Sequence, residues 1–434
     1  MFDIIVGRNK KKTELYGTKG TIFIGKQYVK MGQVYSLSNN VYLDVADTHA
    51  IFICGKRGSG KSYTMGVIAE GISALPAEIR EKISVVILDT MGIYWSMKYP
   101  NKKDSKLLDS WGIEPKRLDV KIFVPTGFFN DLKKKDLPVD YPFSLNAQDL
   151  SAEDWLNVFD IDLNTEVGAF IEKVINDIKD TFETYDLEDI IKFIQRYDYS
   201  TEIKLIASNR FENAMHWGLF SSEGTKLEQI IKPGQVSVID VSTYAALAGA
   251  ENVKALAIGL LAQKAFELRM KYRKEEEFSE LNSRVNLFTK KTEKELKVPL
   301  VWFIIDEAHE FLPREGKTGA SKALKTILRE GRQPGISLVL ATQQPGKIHQ
   351  DVLTQSDIVI SHRLTAKIDV DALGLLMQSY MREGLDKAID NLPREKGSAI
   401  VFDDNNERLF PIRIRPRFTW HGGSTASVLE EGEE

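Results

Sequence analysis

Unbroken apolar runs recur through the middle of the chain: AIFIC at 50–54, SVVILD at 84–89, VKIFVP at 120–125, VSVID at 236–240, VWFII at 301–305, SLVLAT at 337–342, DIVIS at 357–361 and SAIVFD at 398–403. Each is strand-length, and none alternates with polar residues. Such runs are strands buried on both faces, as in a parallel sheet covered by helices on each side. Segments of helical period separate them, so the pattern predicts an α/β core.

Two stretches depart from this rhythm. At 20–45, short alternating pieces (TIFIG, QVYSLS, VYLDV) are broken by Gly and Asn, which predicts a small N-terminal β subdomain over 1–48. Between about 147 and 232 the strands stop, and SAEDWLNVFDID, GAFIEKVINDIKDTF and LEDIIKFIQRY read as a helical insertion in the sheet. Ser151 with Asp154 there resembles a helix-starting capping box, with Asp in place of the usual Glu or Gln. Residues 271–297 are charged and extend the preceding helix AIGLLAQKAFELRM toward a flexible loop, and residues 418–434 form a flexible acidic tail. The core then runs from 49 to 417.

Composition narrows the class. A chain of 434 residues with 43% hydrophobic and 28% charged residues can bury a large core. No apolar run is long enough to cross a bilayer. The N-terminus MFDIIVGRNKKK places its charges after a short apolar stretch, the reverse of a secretory signal, and predicts a cytoplasmic protein. One cysteine, Cys54, permits no intrachain disulfide or zinc site. A formal net charge of −4 gives no global basic footprint, so any DNA contact must be local. Lys133, Lys134 and Lys135, then Lys290 and Lys291, then Lys317, Lys322 and Lys325 are local basic clusters that read first as solvated faces.

Residues 55–62 read GKRGSGKS, the G-x-x-x-x-G-K-[ST] pattern, placed between the strand AIFIC and the helix-like SYTMGVIAEGI. Gly55, Gly58 and Gly60 permit a tight loop whose N–H groups converge on phosphate oxygens at a helix N-terminus. Lys61 is then the side chain for the β- and γ-phosphates of ATP, and Ser62 a ligand for Mg²⁺. The predicted nucleotide-binding set is Gly55, Lys56, Arg57, Gly58, Ser59, Gly60, Lys61, Ser62 and Tyr63.

VWFIIDEAH at 301–309 supplies a second acidic strand end. Asp306 completes the magnesium shell through water, and Glu307 polarises the attacking water; alternatively the pair only caps the next helix. Gln343 ends the following strand, where an amide can sense the γ-phosphate, unless it is an ordinary polar strand end. Arg329 and Arg332, in LREGRQPG, are either arginines projecting into a neighbour's site or surface residues paired with Glu330, and spacing does not separate the two. Asp89 is a metal-water ligand, a loop holder or a structural cap. His216, His309 and His362 have no metal-ligand spacing.

Taken in order, GKRGSGKS, ILDTMGIY, VWFIIDEAH, LREGRQPGISLVLATQQP and DIVISHRLTAKIDVDAL resemble the HerA branch of the HerA–FtsK ATPases over about 20–417. That resemblance implies a RecA-like fold and a homo-oligomer, a hexameric ring that pumps double-stranded DNA. It also implies a nuclease or defence effector as partner, although the family's nuclease-docking β-barrel before the P-loop is here reduced to the short 1–48 region. It makes Asp306 and Glu307 the acidic pair, Gln343 the sensor and Arg332 the better match to the trans-acting arginine, with Arg329 second. It further places Lys317, Lys322 and Lys325 toward the ring interior, and Arg413, Arg415 or Arg417 near an adjacent nucleotide site. A second function class keeps the P-loop without translocation: an assembly or signalling protein whose nucleotide controls partner recruitment. DNA stimulation of hydrolysis separates the two.

Overall fold

The computed structural model describes residues 3–31, 34–247, 252–285, 298–374, 388–389 and 391–423. Each apolar run is a strand in a single sheet. In chain order the strands are β1 (Ile4–Val6), β2 (Thr21–Met31), β3 (Val34–Asp44), β4 (Ala50–Cys54), β5 (Ile83–Asp89), β6 (Val120–Pro125) and β7 (Tyr141–Phe143). They continue with β8 (Val236–Asp240), β9 (Leu300–Ile305), β10 (Ile336–Thr342), β11 (Ile358–His362), β12 (Ser398–Asp403) and β13 (Arg408–Ile414). The spatial order is β1-β3-β2-β13-β12-β11-β4-β10-β9-β5-β8-β6-β7.

From β11 to β7 every pairing is parallel. On the other side of β11 the pairings through β12, β13, β2 and β3 are antiparallel, which makes a hairpin-built wing. The alternating stretch expected to form a small N-terminal β subdomain contributes its strands to this wing. Its strands are sheet members because β2 finds the free edge of β13 through Ile412↔Gln27 and Arg413↔Lys26. Those partners lie almost four hundred residues away in sequence, so no local pattern announces the pairing.

The unbroken apolar runs have a direct structural cause. Within β4, Phe52 and Cys54 point into one core while Ile51 and Ile53 point into the other, and all four are essentially unexposed. One core is covered by the P-loop helix Lys61–Ser73, through Met65, Ile68 and Ile72. The other is covered by the helical insertion and the long helix Val253–Val285. The insertion is held by its own aromatic centre, where buried Trp155 stacks on Phe159 at 5.4 Å and meets Phe211 edge-on at 5.0 Å. Its first helix, Ala152–Phe159, opens on the Ser151/Asp154 capping box. Among the described residues no helix is long and apolar enough to cross a membrane.

The tail begins later than 418. Phe418 and Thr419 are buried, and the segment they belong to packs on the P-loop helix. Residues 424–434 and the Lys290–Lys291 pair lie outside the described residues.

Candidate nucleotide site

The C-terminal ends of β4, β10 and β9 lie side by side, with Thr342 opposite Cys54 and Leu340 opposite both Phe52 and Ile305. Because β10 lies between the P-loop strand and the acidic strand, the residues that follow these three strands converge on one rim. That is how segments at 55–62, 306–307 and 343 become neighbours.

The glycine loop turns directly from β4 into its helix. Gly60 occupies the N-cap at φ 115°, a conformation L side chains rarely adopt. A Cβ on Gly55 would lie 2.5 Å from Ser59 Oγ and 2.6 Å from His362 Cβ, so this position admits only glycine. No side chain caps the helix, which leaves its first-turn N–H groups for a ligand, at the end where the helix dipole favours an anion. Lys61 is buried, with its ammonium 3.3 Å from the Lys56 carbonyl. Burial lowers its pKa, partly countered by Glu307 and Asp306. Lys56 and Arg57 are exposed on the loop. Tyr63 does not turn its side chain to the loop: its hydroxyl accepts from the Arg417 N–H at 2.6 Å, and its ring meets His421 edge-on at 5.3 Å.

Ser62 Oγ donates to Asp306 Oδ2 at 2.6 Å, while Asp306 Oδ1 accepts the Glu307 N–H. Burial raises the Asp306 pKa, and these bonds oppose the rise. A hydroxyl and a carboxylate so placed form the oxygen donor set suited to a hard cation. Glu307 adopts the left-handed backbone conformation, φ 49° and ψ 43°, which is uncommon for a side chain of this kind. Its Oε2 is buried without a hydrogen-bond partner, 3.5 Å from His309 Nδ1. Burial first, then the Asp306 charge, lifts its pKa to about 7, and the Lys61 charge and then the Gln343 backbone partly counter them. His309 is held below its ordinary value by burial and lies 3.0 Å from Thr342 Oγ1. A carboxylate on strained backbone with one buried oxygen unpartnered, beside a hydroxyl–carboxylate pair, a buried lysine and an uncapped helix N-terminus, fits a nucleoside triphosphate with its cation.

Residues 29–257, just over half of the chain, match the family model for the central domain of helicase HerA. The chain belongs to the HerA helicase family. Its class is that of the P-loop ATPases. It is 31% identical to the DNA double-strand break repair helicase HerA of Pyrococcus furiosus over 180 residues, covering 39% of this chain and 31% of that protein. It is 24% identical to the HerA of Saccharolobus solfataricus over 393 residues, covering 89% of this chain and 66% of the relative. The chain thus spans less than two thirds of the curated relatives it matches. VirB4 of Thermoanaerobacter pseudethanolicus shares the fold, with a TM-score of 0.56 at 11% identity, covering 91% of this chain and 97% of that one.

Against this HerA background the remaining expected residues separate. Asp89 is a loop holder: its carboxylate accepts four backbone N–H bonds, from Met91, Gly92, Ile93 and Tyr94, at 2.8–3.1 Å. Burial and the neighbouring Asp240 raise its pKa to about 7. Arg329 pairs with Asp351 at 2.7 Å and Arg332 with Asp357 at 3.4 Å, and both guanidiniums are well exposed. Arg332 sits where strands begin, its carbonyl accepting from Thr48 just before β4, so it is at the opposite end of that strand from the P-loop of its own chain. Lys317 is exposed, and Lys322 pairs with Glu153 at 3.5 Å.

Arg415 and Arg417, expected near an adjacent site, are instead buried against Glu70 of the same chain, and Arg413 pairs with Glu395. Three residues carry no local signal for their place beside the site. His362 packs behind Gly55 and Gly60, bonds Thr64 Oγ1 at 2.8 Å, and is held near pKa 4 by burial. Tyr94 donates to the Ser62 carbonyl at 3.2 Å, and Glu70 anchors the C-terminal segment.

Proposed function

We propose that the chain hydrolyses ATP and uses the cycle to move or unwind double-stranded DNA, working as a cytoplasmic homo-oligomeric ring with a nuclease or other effector. The observation that carries the hydrolytic half is Glu307, whose buried unpartnered oxygen and pKa of about 7 suit a group that takes a proton from water at neutral pH. In this reading the glycine loop and Lys61 bind the phosphates, Gln343 reports the terminal phosphate, and Glu307 orients the attacking water. Ser62 and Asp306 would hold Mg²⁺, and the ion would supply positive charge that offsets charge on the phosphate oxygens.

The ring is supported by Arg332, exposed at the far end of the sheet from its own P-loop: an arginine there serves a nucleotide only on a neighbouring copy. Action on DNA is supported by the relatives named as DNA repair helicases. Lys317 and Lys325 supply sequence-independent phosphate contacts in this reading.

Phosphate release measured with and without duplex DNA tests the motor. Hydrolysis should rise several-fold with duplex, and an assembled protein whose turnover ignores DNA would favour the recruitment class instead. Arg332→Ala and Lys61→Ala subunits, each inactive alone, should regain part of the activity when mixed. No complementation removes the trans role of Arg332.

A further inference from the structure

Glu70 lies in the last turn of the P-loop helix with no exposure at all, an unusual place for a carboxylate. Its partners come from one short stretch of chain. Arg415 Nη1 donates to Oε2 at 2.9 Å, Arg417 Nε to Oε1 at 3.1 Å, and the Phe418 and Thr419 N–H groups at 3.2 and 3.0 Å, with the Thr419 hydroxyl also on Oε1. The P-loop helix makes room for this contact. A Cβ on Gly66, one helical turn before Glu70, would lie 2.6 Å from the Arg417 guanidinium carbon.

The same stretch reaches both flanks of Ser62. On one side the Arg417 N–H donates to Tyr63. On the other, the Trp420 carbonyl accepts from Ser96 Oγ, and that oxygen accepts from the Gly422 N–H. Ser96 belongs to the 3-10 turn Tyr94–Lys98, whose Tyr94 donates to the Ser62 carbonyl and whose N-terminus Asp89 holds. Residues 415–422 therefore fasten the P-loop helix to the turn beside it, next to Ser62 in the helix's first turn.

We infer that the Arg415–Gly422 segment is a clamp on the P-loop helix, and that Glu70 and Arg417 are positioning residues whose engagement sets the affinity of the nucleotide site. This rests on the ATP-binding reading above. A buried carboxylate with two guanidiniums and two amides is either fully engaged or strongly unfavourable, so the contact behaves as a two-state element. Where engagement of such an element and binding of a ligand on the same helix are coupled, the coupling is reciprocal, and each shifts the other by the same factor.

Hydrogen exchange in the full-length chain reads the clamp directly, because the Arg417, Phe418 and Thr419 amides are the ones bonded to Tyr63 and Glu70. ATPγS should slow exchange at these amides several-fold. Gly66→Ala, which places a methyl against Arg417, should speed their exchange and weaken ATPγS binding by about tenfold. Unchanged exchange on adding ATPγS overturns the clamp. So does a Gly66→Ala protein whose amides loosen while its ATPγS affinity stays at the wild-type value, since the contact is then only structural. If that variant does not fold, Glu70→Gln carries the same two readouts. A wild-type chain that fails to bind ATPγS at all overturns the functional reading together with the clamp, whereas tight binding without coupling overturns the clamp alone.

Discussion

Replacing Glu307 with Gln should make the protein more stable at alkaline pH while abolishing turnover. The carboxyl titrates near 7 in the fold against an ordinary value of 4.5. The folded state holds this proton more tightly than the unfolded chain, so the associated stability is complete below about 4.5, is lost as pH rises through about 7, and is a fixed cost above that. A shift of that size corresponds to at most about 3–4 kcal/mol at 1.36 kcal/mol per unit. The side chain is 16% exposed, and solvent screening reduces the figure to about 1–2 kcal/mol. The amide removes the charge, keeps the shape and leaves the left-handed backbone as it is. With an unfolding entropy of about 0.9 kcal/mol/K for a chain of 434 residues, Tm should rise by about 1–2 °C at pH 8 and by a fraction of that near pH 5. Phosphate release should fall by about 10²–10⁴, the range expected for a lost general base. Thermal scans at both pH values and a steady-state ATPase assay decide it. A variant less stable than wild type at pH 8 would mean that the Lys61 charge and the Gln343 backbone outweigh the cost of burying the carboxylate, and turnover within tenfold of wild type would remove it from the chemistry.

Other outcomes follow from the same geometry. Ser62→Ala removes the 2.6 Å bond to Asp306 and should weaken ATP binding more in the presence of Mg²⁺ than in EDTA, measured by calorimetry; equal losses would argue against a cation at Ser62. Burial pulls the His49 pKa down, but Asp357 and Asp44 outweigh it and hold the imidazole near 9. Its stabilising contribution is therefore complete below about 6.5 and lost as pH rises through about 9, and His49→Gln should flatten the Tm profile across that window. Gly259→Ala would place a methyl 2.2 Å from the Gly319 carbonyl oxygen, costing about 1–3 kcal/mol by overpacking, seen as a lower Tm with unchanged nucleotide affinity.

What the sequence determined by itself is whatever neighbouring residues decide. Strands β4, β5, β6, β8, β9, β10, β11 and β12 were legible because burial on both faces leaves no polar alternation, and the insertion helix was legible from its Ser151/Asp154 cap. The glycine loop and the Asp306–Glu307 pair stood out as candidates because each set lies within a few consecutive residues. The tertiary structure alone decided the rest, since the deciding partners are far apart in the chain. Asp89 could be read as a metal-water ligand, a loop holder or a cap until its carboxylate was seen receiving the turn that follows it, which selects the loop holder. Arg415 and Arg417 looked available to a neighbour because no local pattern shows that Glu70, almost 350 residues earlier, already holds them. The wing had the same cause: β2 alternates like a small separate sheet until β13 supplies an open edge, and backbone pairing depends on which edge is adjacent in space.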